Sequence, residues 1–117
     1  MKLIYVASPY AGDVEKNVAY AKRVCRAIAE HGYAFVAPHL MYPAILDDAV
    51  PKDRQTCIEM GLTLLSRCDE LWAFGPVISS GMQTEIAEAE RLRIPIRRMD
   101  MAGELVPERT PDVTLCG

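Results

Sequence analysis

The sequence predicts a single-domain α/β protein of the Rossmann-like (flavodoxin-like) class, with a parallel sheet of strand order 2-1-3-4 and helices on both faces. Two observations predict it. Short apolar runs such as Leu3-Ile4-Tyr5-Val6-Ala7 are continuous rather than alternating, as in strands covered on both faces. These runs alternate with stretches of helical periodicity in the order β-α-β-α-β-α-β, the signature of a parallel sheet. At 117 residues the chain is one domain, able to bury about two-thirds of the surface its unfolded form exposes.

After the first strand, Ser8-Pro9-Tyr10-Ala11-Gly12 reads as a loop and Asp13 as a helix cap. The helix carries the apolar stripe Val14, Val18, Ala21, Cys25 and Ile28, and Gly32 terminates it. Tyr33-Ala34-Phe35-Val36 is the second strand. An irregular segment from Ala37 to Pro51 follows, long enough within a small domain to suggest a binding loop or lid. Helical spacing resumes from about Lys52 to Arg67, Asp69 to Phe74 gives the third strand, and Ile94 to Met99 the fourth. Residues 1–100 make the α/β domain, and 101–117, with Gly103, Pro107, Pro111 and Gly117, read as a C-terminal tail. In this strand order ligands bind between strands 1 and 3, where the loops carrying Ser8 and Ser79 converge.

Composition narrows the partners. A net charge of -3 and a pI near 5.3 give no basic footprint for a DNA or RNA polymer. No apolar run approaches a membrane span, and Met1-Lys2-Leu3 leads directly into a strand, so a cytoplasmic protein is expected. Cys25, Cys57, Cys68 and Cys116 lack metal-ligand spacing, and the first three suit apolar positions as reduced thiols. His39, Asp47 and Asp48 match no metal motif either, so neither a metal nor a cofactor is expected.

The helix between the third and fourth strands carries the chemistry. Ser80 followed by Gln83 reads as a capping box, and a helix running to about Leu92 aligns Met82, Glu85, Ile86, Ala89 and Leu92 on one stripe. Glu85 interrupts that apolar face. A carboxylate there must be paired, hydrogen-bonded or turned to a cleft. Two readings stand: a nucleophile attacking a sugar carbon, or half of an ion pair with Arg54 or Arg97. Ser79, Ser80 and Gly81 at the helix start, with Ser8 opposite, form a phosphate cradle or simply cap a helix and a turn. On the long loop His39 is a substrate contact or a satisfied loop residue, while Arg54 faces a phosphate, Asp47 or Asp48, or solvent. Tyr10 and Tyr42 are the stacking candidates; Trp72 and Phe74, lying in a strand, are core.

Ile4-Tyr5-Val6-Ala7-Ser8-Pro9, Cys68-Asp69-Glu70-Leu71-Trp72 and Ser79-x-Gly81-x-x-x-Glu85-Ile86 together resemble the nucleoside 2-deoxyribosyltransferase-like superfamily over about residues 1–99. Ser8-Pro9-Tyr10, Ala37-Pro38-His39-Leu40 and Leu46-Asp47-Asp48 make the chain similar to a small uncharacterised branch of it, related to the nucleoside monophosphate N-glycosidases. The resemblance implies a double displacement at the anomeric carbon, with Glu85 as nucleophile and Tyr5 orienting it. It implies a 5′-phosphorylated substrate, because Ser79 stands where the glycosidases carry serine and the transferases an acidic residue. It also implies a homo-oligomer, dimer or higher. The chain departs from the pattern at Gly61, where the superfamily has an aspartate that handles the base or its proton. Glu59, Asp47 or Asp48 are alternative carboxylates.

The expectation is therefore an N-glycosidase or deoxyribosyltransferase acting on a small nucleotide or nucleoside. The site would comprise Glu85 and Tyr5 with Ser8, Tyr10, His39, Asp47, Asp48, Arg54, Ser79, Ser80 and Gly81. The alternative, motivated by Gly61, is a nucleotide-binding or sensing module without turnover. The base, the sugar and the choice between hydrolysis and transfer are left open.

Overall fold

The computed structural model describes residues 1–101 and 105–107. Their elements are β1 (Leu3–Ala7), α1 (Val14–Glu30), β2 (Ala34–Val36), α2 (Pro38–Met41), a 3-10 turn at Tyr42–Ala44, α3 (Pro51–Leu65), β3 (Glu70–Ala73), α4 (Ser80–Arg91), β4 (Ile96–Met101) and β5 (Leu105–Pro107). The sheet order is β2-β1-β3-β4-β5, with β2, β1, β3 and β4 mutually parallel and β5 antiparallel to β4. The predicted 2-1-3-4 order is thus the observed one. The fifth strand falls within the segment read as tail, where no apolar run announces it.

Period-2 alternation divides β1 between two cores. Tyr5 and Ala7 face α3 and α4 and pack with Leu65, Leu71, Ala73, Met82 and Ala89. Ile4 and Val6 point the other way, against Val24, Cys25 and Ile28 of α1 and against Trp72 and Phe74. Burying each such apolar side chain contributes about 1.5–3 kcal/mol, which makes β1 and β3 the fixed centre of the domain.

Local chemistry sets the ends. Asp13 caps α1 by accepting the Lys16 N–H at 3.2 Å, and Gly32, at φ +87°, turns the chain out of it. On α1 the expected Ala21, Cys25 and Ile28 are buried and are joined by Val24 and Ala27, whereas Val14, in the first turn, is exposed. The segment from Ala37 to Pro51 is not one irregular loop. Pro38 and Pro43 stand in the first turns of α2 and of the 3-10 turn, where a missing N–H costs nothing. At α4 the cap is Ser79 rather than Ser80: its Oγ accepts the Met82 N–H at 3.2 Å, and its backbone is extended. With two serines in succession, only the backbone decides which one stands outside the helix.

Gly75 ties the two loops at the switch point together. It has φ +109°, and a Cβ there would lie 3.1 Å from the ring of Pro9. Its carbonyl accepts from Arg98 Nη2 at 2.5 Å. A side chain at this position would push apart the loops leaving β1 and β3.

Candidate active site

The carboxyl ends of β1 and β3, the start of α4 and the segment from α2 through α3 enclose a cavity of about 360 Å³. That is within the usual range of about 300–1,000 Å³ for small-ligand sites, and its position is the topological switch point of the sheet. Tyr5, Tyr10, His39, Asp48, Arg54, Ser79, Ser80, Gly81 and Glu85, all expected from the sequence, line it. Ser8 does not: it is buried, 2% exposed. Asp47 lines only a shallower depression beside Tyr10 and Pro43, and its carboxylate accepts the Ala49 N–H at 2.9 Å.

Glu85 stands a little over one turn inside α4. The residue is half-buried, and its two oxygens have different surroundings. Oε2 accepts from Tyr5 Oη at 2.5 Å. Oε1 is buried and has no hydrogen-bond partner among the described residues. Leaving a buried acceptor unsatisfied costs about 1–3 kcal/mol, which fold stability alone does not call for. Burial pushes the Glu85 pKa up to about 7, against the opposing effect of the Tyr5 hydrogen bond. Tyr5 is itself 1% exposed, and burial together with the neighbouring carboxylate holds its pKa far above the ordinary phenol value. Tyr5 therefore remains a proton-bearing donor.

The ion-pair reading of Glu85 fails on the coordinates. Arg97 donates through Nε to Glu70 Oε1 at 2.9 Å, on the opposite face of the sheet. Glu70 also receives Lys2 Nζ and Trp72 Nε1, each at 2.8 Å. Burial would raise its pKa, but these three donors outweigh burial and lower it. Arg54 lines the cavity yet forms no ion pair with any carboxylate among the described residues.

Gly61 lies directly against the pair. A Cβ at this position would stand 3.2 Å from Tyr5 Oη, tighter than an ordinary contact. The α3 wall is thus open beside the hydroxyl. Cys57, Ile58 and Leu62 share that wall. From the sequence these positions read only as helical spacing, with Cys57 as a buried thiol. The missed signal was Cys57-x-x-x-Gly61, a small-residue face one turn long turned toward the site rather than the sheet.

The loop after β1 and the short helix α2 supply a further part of the lining. The Tyr10 and His39 rings stack with centroids 5.0 Å apart and planes inclined by 19°. Burial lowers the His39 pKa, partly countered by Asp48, so the ring is neutral at pH 7. Tyr42 also lines the cavity, whereas Trp72 and Phe74 are core. Cys25 and Cys68 are buried free thiols, Cys57 is a half-buried one, and Cys116 lies outside the described residues. Among the described residues no helix is long and apolar enough to cross a membrane, and no three His, Cys, Asp or Glu side chains cluster as metal ligands.

Residues 2–99 match the family described as a domain of unknown function, DUF7768. No curated protein matches significantly. Among solved structures, a 2-deoxyribosyltransferase from Bacillus psychrosaccharolyticus aligns with TM-score 0.71 and 16% identity, over 89% of this chain and 76% of that one. A conserved protein from Enterococcus faecalis V583 aligns with TM-score 0.62 and 23% identity, over 84% of this chain and 62% of the other. A Leishmania mexicana 2-desoxiribosyltransferase aligns with TM-score 0.57 and 18% identity, over 93% and 79%. The fold is nucleoside 2-deoxyribosyltransferase-like.

Proposed function

The chain belongs to the DUF7768 family, and from the cavity that joins Tyr5 to Glu85 we propose that it cleaves the N-glycosidic bond of a small nucleotide, a 5′-monophosphate in preference to a free nucleoside. The observation that carries this reading is the unpartnered, buried Oε1 of Glu85 at the cavity wall, with Oε2 held by Tyr5. One oxygen is anchored and the other is free to form a bond, as a carboxylate nucleophile requires.

In the proposed reaction Glu85 Oε1 bonds to the anomeric carbon as the bond from that carbon to the base nitrogen breaks. The electron pair leaves with the base, which takes up a proton. The resulting glycosyl ester is then opened by water, whose oxygen bonds the anomeric carbon and whose proton is released; a second base in place of water gives transfer. With its pKa at about 7, a substantial fraction of Glu85 is ionised and reactive at neutral pH. The start of α4 supports the phosphate preference. Its free N–H groups and the positive end of its dipole face the cavity at Ser79, Ser80 and Gly81, with Arg54 on the same cavity's α3 wall.

A second reading, a nucleotide-binding module without turnover, is motivated by Gly61, which brings no carboxylate to the α3 wall. Incubation with a panel of deoxynucleoside monophosphates separates the two. The enzyme reading expects free base, lost in Glu85→Ala. Tight calorimetric binding with no base after long incubation supports the module. Release undiminished in Glu85→Ala would refute the mechanism.

A cytoplasmic homo-oligomer belongs to the same proposal. The thiols of Cys25, Cys57 and Cys68 are free, as in a reducing compartment, and Met41, Ile45, Val50 and Ile58 expose apolar surface around the cavity segment. Light scattering tests the assembly; a monomer at all concentrations would remove it.

A further inference from the structure

Glu85 is not the only carboxylate of its cavity. Asp48 lines it as well, whereas Asp47 and Glu59 do not. Asp47 is engaged with the Ala49 N–H, and Glu59 accepts from Gln55 Nε2 at 3.1 Å on the exposed side of α3. Three carboxylates were open alternatives for the place vacated at Gly61, and the geometry retains one.

Asp48 is an exposed residue on the connection between α2 and α3, and it lines the cavity together with His39 of α2 and Cys57 of α3. Cys57 is one turn before Gly61, and both line the cavity. Asp48 and the α3 face that Gly61 leaves bare thus line one cavity. No hydrogen bond or ion pair occupies its side chain among the described residues; Arg54, the nearest cation by sequence on the cavity wall, makes none with it.

An ionised carboxylate only accepts hydrogen bonds. Beside it the stacked rings of Tyr10 and His39 offer aromatic surface, against which a flat heterocycle packs well. A heterocycle packed there shares the cavity with the Asp48 carboxylate, which its polar edge can reach. An amino group on that edge donates to the carboxylate. A carbonyl oxygen at the same position sets two acceptors against each other, which disfavours the mismatched base by about one hydrogen bond.

The geometry points to Asp48 as the residue that selects the base, favouring a nucleobase with an exocyclic amino group, of adenine or cytosine type, over its oxo counterpart. This deepens the nucleotide reading above and rests on it. Asp48 is a specificity-determining residue here; Glu85 remains the nucleophile.

Two matched pairs test it, because each differs only in amino against oxo: deoxyadenosine with deoxyinosine monophosphate, and deoxycytidine with deoxyuridine monophosphate. The expected result is kcat/KM for base release at least about tenfold higher for the amino member, one hydrogen bond's worth of discrimination. Asp48→Asn, whose amide both donates and accepts, should bring the ratio near one, chiefly by raising the oxo rate. Equal rates in the parent protein, an oxo preference, or a ratio unchanged by Asp48→Asn would each overturn the assignment. If the parent releases no base from any of the four, glycosidic cleavage fails, and calorimetric affinities for the same nucleotides decide the Asp48 assignment alone. An amino preference erased by Asp48→Asn then supports it; equal affinities, or no binding at all, overturn it.

Discussion

Replacing Glu85 with Gln should stabilise the protein at neutral pH and leave it unimproved in acid. Gln keeps the shape of the side chain and an oxygen to accept from Tyr5, but it has no charge to bury. In the fold the Glu85 pKa lies at about 7, against 4.5 for the ordinary group. Between those values the folded state binds more protons than the unfolded state, so this residue's contribution to stability falls as pH rises from 4.5 to 7 and is constant beyond. At about 1.4 kcal/mol for each tenfold in proton affinity, ionising the buried carboxylate costs the fold about 3 kcal/mol. Any fixed packing difference between Glu and Gln is the same at every pH and cancels when two pH values are compared. Urea or thermal unfolding of both proteins at pH 4 and pH 8 should therefore show Glu85→Gln gaining about 3 kcal/mol more at pH 8. At about 4 °C per kcal/mol, that is a relative melting shift of about 12 °C. A difference between the proteins that does not change with pH would refute the argument, because it would mean that Glu85 is not buried as a costly charge.

Tyr5→Phe removes the one donor to Glu85 among the described residues, so the Glu85 pKa should rise further; carboxyl titration by NMR, or an activity limb displaced to higher pH, measures it. Gly61→Asp would set a carboxylate beside the Tyr5 hydroxyl and raise the Glu85 pKa above 7 by repulsion between like charges, read as the same displacement in pH profile. Glu70→Ala should cost about 1–3 kcal/mol by denaturant unfolding, because Trp72 Nε1 is left buried without an acceptor while Lys2 and Arg97, 60% and 53% exposed, stay hydrated. Since the Glu70 pKa is lowered in the fold, its contribution is present above pH 4.5 and lost as pH falls through the folded value, and Glu70→Ala should lose that acid dependence.

Much of this architecture was legible because the sheet is parallel and central. Strands covered on both faces must be apolar throughout, so Leu3–Ala7 and the run around Leu71 announce themselves, and the chain order then leaves few topologies. Glu85 was legible for the complementary reason, as a charge on an apolar stripe. What sequence could not resolve was set by neighbours rather than by periodicity. The choice of Ser79 over Ser80 as the cap depends on backbone angles. The separation of Asp48 from Asp47 depends on a turn in which Asp47 binds Ala49, and both residues look alike in a loop. Short α2 is too brief to show a period, and β5 pairs only as an antiparallel edge. Ser8 was expected to reach the ligand because it follows β1, but the residue is buried and does not line the cavity.

Tyr5 and Glu85 stand on a central strand and a long helix, whereas Tyr10, His39 and Asp48 stand on the connections. Under the proposed function, reaction and selection fall to separable parts of the chain. The segment from Ala37 to Val50 can be exchanged or diversified while β1 and α4 keep Tyr5 and Glu85 in register. A library confined to those residues would sample new ligands on a preserved chemical centre, and the persistence of the pH-dependent stability signature would identify its intact members before any substrate is known.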